Sequence, residues 1–313
     1  MSEPTDFLDD VLSGLARAQK AVPPRWFYDK VGSGLFEAIT RLPEYYPTEA
    51  ERRIFAARMP EIAAVTGRGR VLVEFGSGSS TKTPAVLLGT QASAYVPIDI
   101  SGEFLRESTG ALARDFPGIP MTPIEADFTH RLTLPPTHDG AARLGFFPGS
   151  TIGNFNVVEA VDLLRGMRAS LGDGAMLLIG MDLRKPEQRL IPAYDDAQGV
   201  TARFNLNLLD RINAELGGTL DRTAFRHVVR WNSSLSRIEM HLEAGVDLDF
   251  TVAGHRFAMR AGETIHTENS YKFEPGQARL LLRAGGWLPQ GEWRDDDGLF
   301  AVFAAAAIGA EGE

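Results

Sequence analysis

The chain has 313 residues, of which 44% are apolar and 23% charged, a balance that supports a packed core rather than disorder. Its net charge of −9 argues against a nucleic-acid surface, which needs a basic face, and leaves small or cationic substrates open. The absence of cysteine rules out disulfides, thiolate catalysis and cysteine-ligated zinc.

The acidic start, Met1 to Leu12, lacks the basic-then-apolar pattern of a secretory signal, and no apolar run reaches membrane length. A cytoplasmic monomer is expected, with a small-molecule substrate and no membrane or nucleic-acid partner. A helix is predicted over residues 6–19, before Pro23-Pro24, and a second over 33–40, before Leu42-Pro43. Glu44 to Thr48 reads as extended or turning, because the residue before a proline avoids the helical region. A further helix starts near Thr48, with Glu49 and Glu51 in its first turn.

From residue 69 to 185, short apolar strands alternate with helical stretches. The strands are predicted at 70–75, 94–98, 120–125, 143–148 and 175–181, a βαβ series with a mainly parallel sheet. The pattern then changes. A long helix spans 195–216, where Val200, Phe204, Leu208, Ile212 and Leu216 recur every four residues before Gly217-Gly218. A β-meander follows: Ile238, Met240 and Leu242 alternate with charged residues, as do Val246, Leu248, Phe250 and Val252, with turns at Gly245 and Gly254. A short helix over 275–284 and two strands, 287–294 and 299–306, close the chain.

Val71 to Ser80 is a strand running into a glycine-rich turn, Gly76-Ser77-Gly78-Ser79-Ser80. Glycines let a backbone approach a ligand closely, although a tight βα turn with no ligand has the same look. The next strand ends in Asp99, about 20 residues on, where a carboxylate can accept both ribose hydroxyls of an adenosine. The third strand runs into Asp127, a candidate acceptor for an adenine amino group, and Phe128, a ring to pack on it. Each acid could instead be an ordinary strand-end cap. NAD would suit much of the same pattern, but the closing antiparallel hairpin and the departure from GxGxG at Ser80 favour S-adenosylmethionine (SAM). The cofactor-binding set is Gly76, Ser77, Gly78, Lys82, Asp99, Asp127 and Phe128. The expected fold is α/β: a Rossmann-like class I methyltransferase sheet with an antiparallel last strand (59–185 and 275–313), plus an α+β substrate-binding domain (1–58 and 186–274).

Methyl transfer from a sulfonium is an in-line displacement, and positioning of the acceptor supplies much of its rate. The acceptor usually lies beyond the fourth strand, here Phe146 to Phe155, which offers bare carbonyls and the amide of Asn154. Asn154 could equally cap the following helix.

Several strings resemble the histidine-specific N-alpha-methyltransferases of ergothioneine biosynthesis: residues 25–29 (RWFYD), 42–48 (LPEYYPT), 75–80 (FGSGSS), 147–155 (FPGSTIGNF), 193–196 (AYDD) and 266–273 (HTENSYKF). The resemblance covers nearly the whole chain. It implies trimethylation of the α-amine of L-histidine to hercynine by SAM. It also implies residue roles: Asn154 and Tyr194 on the substrate carboxylate, Tyr28 and Gly149 near the reacting amine, Tyr45, Glu268 and Ser270 on the imidazole, and Met240 along the side chain. Tyr28, Gly149 and Asn154 form the catalytic set.

Elementary chemistry agrees with parts of this. Glu268 and Ser270 are two apart, so in an extended segment they face one side and suit the two imidazole nitrogens; a run of Thr, Glu, Asn and Ser could also be a solvated loop. Tyrosine faces suit a growing ammonium charge. Tyr45 and Tyr46, adjacent in an extended segment, should point opposite ways. No histidine or lysine base is evident, so the amine is expected to arrive neutral after losing its proton to water. The six histidines show no metal-ligand spacing, and no metal is assigned. The four tryptophans read as core or domain-contact residues. The alternatives are a methyltransferase for another amino acid or an arylalkylamine, a SAM-binding module without activity, and a dinucleotide oxidoreductase.

Overall fold

A computed structural model describes residues 4–78, 81–135 and 140–309; the sequence features at Ser79, Ser80 and His138 lie outside the described residues. The chain divides into two units. The first comprises Tyr46–Arg184 and the chain from Tyr271 onward, and the second comprises the chain up to Tyr45 together with Lys185–Ser270.

In chain order, the second unit begins with α1 (Pro4–Leu15), the short strand β1 (Lys20–Ala21) and α2 (Lys30–Ile39). The first unit follows with α3 (Tyr46–Thr66), β2 (Val71–Phe75), α4 (Thr83–Thr90), β3 (Ala94–Asp99), α5 (Gly102–Asp115), β4 (Ile124–Glu125), β5 (Arg143–Phe147), α6 (Val157–Leu171) and β6 (Met176–Asp182). The chain returns to the second unit with α7 (Glu187–Tyr194), α8 (Val200–Leu216), β7 (Phe225–Asn232), β8 (Arg237–Ala244), β9 (Leu248–Val252), β10 (His255–Met259) and β11 (Thr264–Tyr271). It closes in the first unit with α9 (Pro275–Ala284), β12 (Trp287–Arg294) and β13 (Phe300–Ala307).

The first unit is built on a seven-stranded sheet in the order β12-β13-β6-β5-β2-β3-β4. The pairs β6–β5, β5–β2, β2–β3 and β3–β4 are parallel, while β13 runs antiparallel to both its neighbours. This is the sheet expected from the sequence, with the inverted last strand. Both faces are covered. Val71, Val73 and Phe75 of β2 point into a core with α6 and α9, whereas Leu72 points into a second core with Ile54 and Phe55 of α3. Strand order reverses at β2, whose neighbours are β3 and β5, so the crevice beyond the strand ends at this point is where such sheets bind ligands.

In the first unit, α3 and β4 have other bounds than the sequence suggests. Helix α3 starts at Tyr46, not near Thr48, because Pro47 falls in the first turn, where no backbone N–H is needed. Strand β4 is only Ile124–Glu125, preceded by a single bridge from Met121 to Tyr95.

In the second unit, α8 begins at Val200 rather than 195, because the Asp196 carboxylate accepts the Val200 and Thr201 N–H groups at 3.0 and 2.8 Å. The strands do not form a continuous meander. A four-stranded sheet has the order β1-β11-β8-β7, and β9 and β10 pair only with each other. The first strand is parallel to β11 through Lys20↔Ile265 and Ala21↔His266.

Candidate functional site

The glycine turn sits at the end of β2, where the buried strand leaves the sheet. Gly76 and Gly78 have φ of 71° and 47°, the left-handed region that glycine enters without strain. A Cβ on Gly76 would lie 3.2 Å from the Phe128 ring, so this glycine lets Phe128 rest against the turn. Phe128 in turn meets Phe147 edge to face at 5.6 Å. The N–H groups of Gly76 and Ser77 both donate to the Ile98 carbonyl, which ties the turn to β3.

Asp99 closes β3. One carboxylate oxygen accepts the Gly78 N–H and the other the Ser101 N–H, each at 2.9 Å. Burial pushes its carboxyl upward, against these backbone hydrogen bonds. The Ile100 N–H also acts on this carboxylate, and a carboxylate has about four acceptor sites, so capacity remains for a ribose hydroxyl. Asp127 lies two residues past β4, and its Oδ1 accepts the N–H and hydroxyl of Thr129 at 2.9 and 2.6 Å. The turn, the two acids and the Phe128 ring therefore fit an adenosine.

Beneath them, Glu74 is fully buried and accepts from Tyr95 and Thr83 at 2.5 and 2.7 Å. Burial raises it to about 8 despite these donors. Lys82 pairs with Glu51 of α3, whose same oxygen accepts the Gly149 N–H at 2.9 Å. Gly149 and Ser150 follow β5 with φ of 75° and 59°, and a 3-10 turn carries Asn154. The helix α6 is capped by Asn156 and Glu159 in a capping box, not by Asn154. Helix capping is thus no longer an explanation for Asn154.

In the second unit, Glu268 and Ser270 alternate with Asn269 along β11 and are both buried. Their side is the same by strand geometry, and the segment is a strand, not a solvated loop. The Ser270 hydroxyl is 2.7 Å from the Tyr194 hydroxyl at the end of α7. Met240, on β8, is buried, and its carbonyl accepts from Thr267 Oγ1 at 3.0 Å. Aromatic rings gather on the same unit: Tyr28 meets Phe36 and Phe204 edge-on at 5.6 and 5.8 Å, and Tyr45 meets Phe36 and Tyr194 at 6.3 and 6.2 Å.

A buried polar network supports Tyr194. His227 Nε2 donates to the Tyr194 carbonyl at 2.9 Å, and Asn205 Nδ2 lies 2.8 Å from His227 Nδ1. Asn205 also donates to the His241 carbonyl and accepts from Thr267. Burial pushes His227 down, which favours the neutral ring, and the carbonyl at Nε2 with the amide donor at Nδ1 places its proton on Nε2.

The neighbouring tyrosines belong to different units. Tyr46 opens α3 in the first unit, and its hydroxyl donates to Asp182 Oδ2 at 2.6 Å. Tyr45 precedes the helix and joins the aromatic cluster of the second. The expectation of an extended Tyr45-Tyr46 pair does not hold, because Tyr46 is already helical.

Glu51 escaped the sequence reading, which placed it only as a first-turn charge. Its one trace is Gly180 in the otherwise bulky β6: a Cβ there would lie 2.1 Å from Glu51 Oε1. The stacked rings of His241 and His266, 4.8 Å apart, were likewise not anticipated. Among the described residues no cluster of His, Cys, Asp and Glu could hold a metal, and no helix is long and apolar enough to cross a membrane.

A family model described as SAM-dependent histidine-specific methyltransferase matches residues 7–307. The chain is 43% identical over 308 residues to a histidine N-alpha-methyltransferase of Mycobacterium tuberculosis, covering 95% of this chain and 94% of that one. It is 42% identical over 303 residues to the enzyme of the same name from Mycolicibacterium smegmatis, covering 95% and 93%. Ergothioneine biosynthesis protein 1 of Neurospora crassa is 31% identical over 286 residues, which are 88% of this chain and 32% of that one. The chain belongs to the SAM-dependent histidine-specific methyltransferases.

Proposed function

We propose that this enzyme transfers methyl groups from SAM to the α-amine of L-histidine, three times in succession, giving hercynine at the start of ergothioneine biosynthesis. The observation that carries the substrate is Glu268 and Ser270 on one side of β11, both buried, with Tyr194 bonded to Ser270. A carboxylate and a hydroxyl so placed can accept from one imidazole nitrogen and donate to the other. An indole, with one N–H and no ring acceptor, has little use for this pair.

In this reading, Gly76, Ser77, Gly78, Asp99, Asp127 and Phe128 hold the adenosine and methionine parts of SAM, and Lys82 pairs with its carboxylate. Asn154 and Tyr194 hold the histidine carboxylate. Tyr28 and the Gly149 backbone lie near the amine, Met240 lines the side chain, and Tyr45 joins Glu268 and Ser270 at the imidazole. SAM supplies an electrophilic methyl on a sulfonium. The protein's task is to orient a neutral amine lone pair toward it and to exclude water. Starting from the ammonium form, three transfers release three protons, and the fixed charge of the product ends the sequence. Aromatic faces at Tyr28 and Tyr45 suit the growing cation.

The reading also takes the protein to be a cytoplasmic monomer, which light scattering would test against the chain mass of 34.1 kDa. The decisive experiment incubates the protein with SAM and each common amino acid in turn. Mass spectrometry should find one, two and three added methyl groups on histidine alone. Methylation of another amino acid in place of histidine refutes the proposal.

A further inference from the structure

Glu51 has a place that the methyl-transfer roles above do not use. It projects from α3, is completely buried, and its Oε2 takes two donors at once: the Lys82 ammonium and the Gly149 N–H. Lys82 directly precedes α4 in the loop that follows β2, and Gly149 lies in the loop that follows β5. These strands are parallel neighbours, and β2 is the one at which the strand order reverses. The lysine side chain is itself only 13% exposed, so its charge needs a fixed partner. Its Nζ lies 3.5 Å from where a Gly149 Cβ would stand, so lysine, glycine and carboxylate are packed as one group. The sheet makes room for it: Oε1 sits where a side chain on residue 180 would be, and that residue is glycine.

We propose that Glu51 is a positioning residue for the methyl donor, holding Lys82 where its remaining N–H groups can take the SAM carboxylate and tying that lysine to the loop that presents Gly149. This rests on the reading that Lys82 binds SAM. One oxygen shared by both donors means that the two loops keep a common register. A lysine released from Glu51 would have many rotamers and no preferred direction, so the donor would lose a charge-assisted hydrogen bond as well as its alignment.

The test is a double-mutant cycle on SAM affinity, measured by calorimetry without histidine, so that turnover plays no part. Lys82→Met should weaken SAM binding by about tenfold to a hundredfold, the worth of one charge-assisted hydrogen bond. Glu51→Gln, of the same shape, should weaken it by about tenfold or more. Combined with Lys82→Met, it should add no further loss beyond about twofold. Affinity in Glu51→Gln within about twofold of the parent overturns the proposal, as do losses that multiply in the double variant, since a merely structural role would be independent of the lysine. Unchanged affinity in Lys82→Met alone would locate the failure in the lysine's assignment, and the proposal falls with it. If Glu51→Gln does not fold, Glu51→Asp replaces it in the same cycle. The shorter carboxylate keeps the charge but not the reach to both donors, and the same outcomes decide.

Discussion

Acid should weaken the second unit through one histidine in particular. His241 lies on β8 and is 3% exposed, with its ring stacked on His266 and its Nε2 3.3 Å from a Glu239 oxygen. Burial, then the neighbouring His266, push it down from 6.5 to about 4, with Glu239 pulling the other way. Glu239 is half-buried, and burial pushes it up, but hydrogen bonds from Asn232 and Arg237 outweigh this and hold it at about 2, so it stays ionised throughout the window. The folded state thus prefers the neutral ring. Between pH 6.5 and about 4 the unfolded chain takes up a proton that the folded chain refuses, so stability falls as pH falls and the loss is complete near pH 4. At about 1.4 kcal/mol per pH unit, this gap amounts to about 3 kcal/mol. His266 is lowered by burial as well and adds in the same direction. The assay is urea unfolding from pH 7.5 down to 4, comparing the parent with His241→Phe, which keeps a stacked ring but cannot titrate. Because every carboxylate is common to both proteins, the parent-minus-variant difference isolates the histidine. It should move against the parent by about 3 kcal/mol, mostly above pH 4.5. A difference that stays flat within about 0.5 kcal/mol would mean that the buried ring accepts its proton in place, and the reasoning fails.

Glu268→Ala should weaken histidine binding by about tenfold to a hundredfold while SAM binding stays within about twofold, since one charge-assisted hydrogen bond is lost on the substrate side only; equal losses of both ligands in calorimetry would remove Glu268 from the imidazole. Lys272 is fully buried, 2.7 Å from Asp182 Oδ2, which also accepts the Tyr46 hydroxyl. Lys272→Met strips the ammonium from a buried carboxylate and should cost about 3–5 kcal/mol in urea unfolding at neutral pH; a loss below about 1 kcal/mol would mean that Asp182 is not charged there.

What the sequence made legible follows from the range of the interactions involved. The sheet of the first unit could be read because β2, β3, β5 and β6 are apolar runs buried on both faces, and because the glycine turn and Asp99 lie within one βαβ unit. The inverted β13 could be read because an acidic turn separates two apolar strands near the end of the chain. The sheet of the second unit could not be ordered in advance. Its edge strand β1 has two residues and pairs with β11 far along the chain, so no local pattern marks it. Strand β7 is half-exposed along most of its length and carries charges, which hides its alternation. Asn154 and Asn156 show a middle case: the asparagine with a glutamate three residues on is the cap, and that spacing was there to be read.

Glu51 marks the limit more sharply. By spacing it belongs with Glu49, and two acids in the first turn of a helix are what a solvated, dipole-compensating surface looks like. Glu49 behaves so: it meets Arg52 on the surface. Glu51, two residues on, is turned inward to a lysine and a glycine amide drawn from two other loops. Periodicity weighs each residue by its own hydrophobicity, whereas a buried ion pair is decided by partners 31 and 98 residues away. The burial of one charge is affordable only when the others are already in place, so the pair can be recognised in three dimensions and not along the chain. The complement that the chain does show is a void: Gly180, in the middle of a buried strand that otherwise favours bulk, makes sense once the Glu51 carboxylate is seen to occupy the missing side chain's volume. An unexplained glycine inside a core strand is therefore the trace from which a buried functional charge on a neighbouring element can be sought.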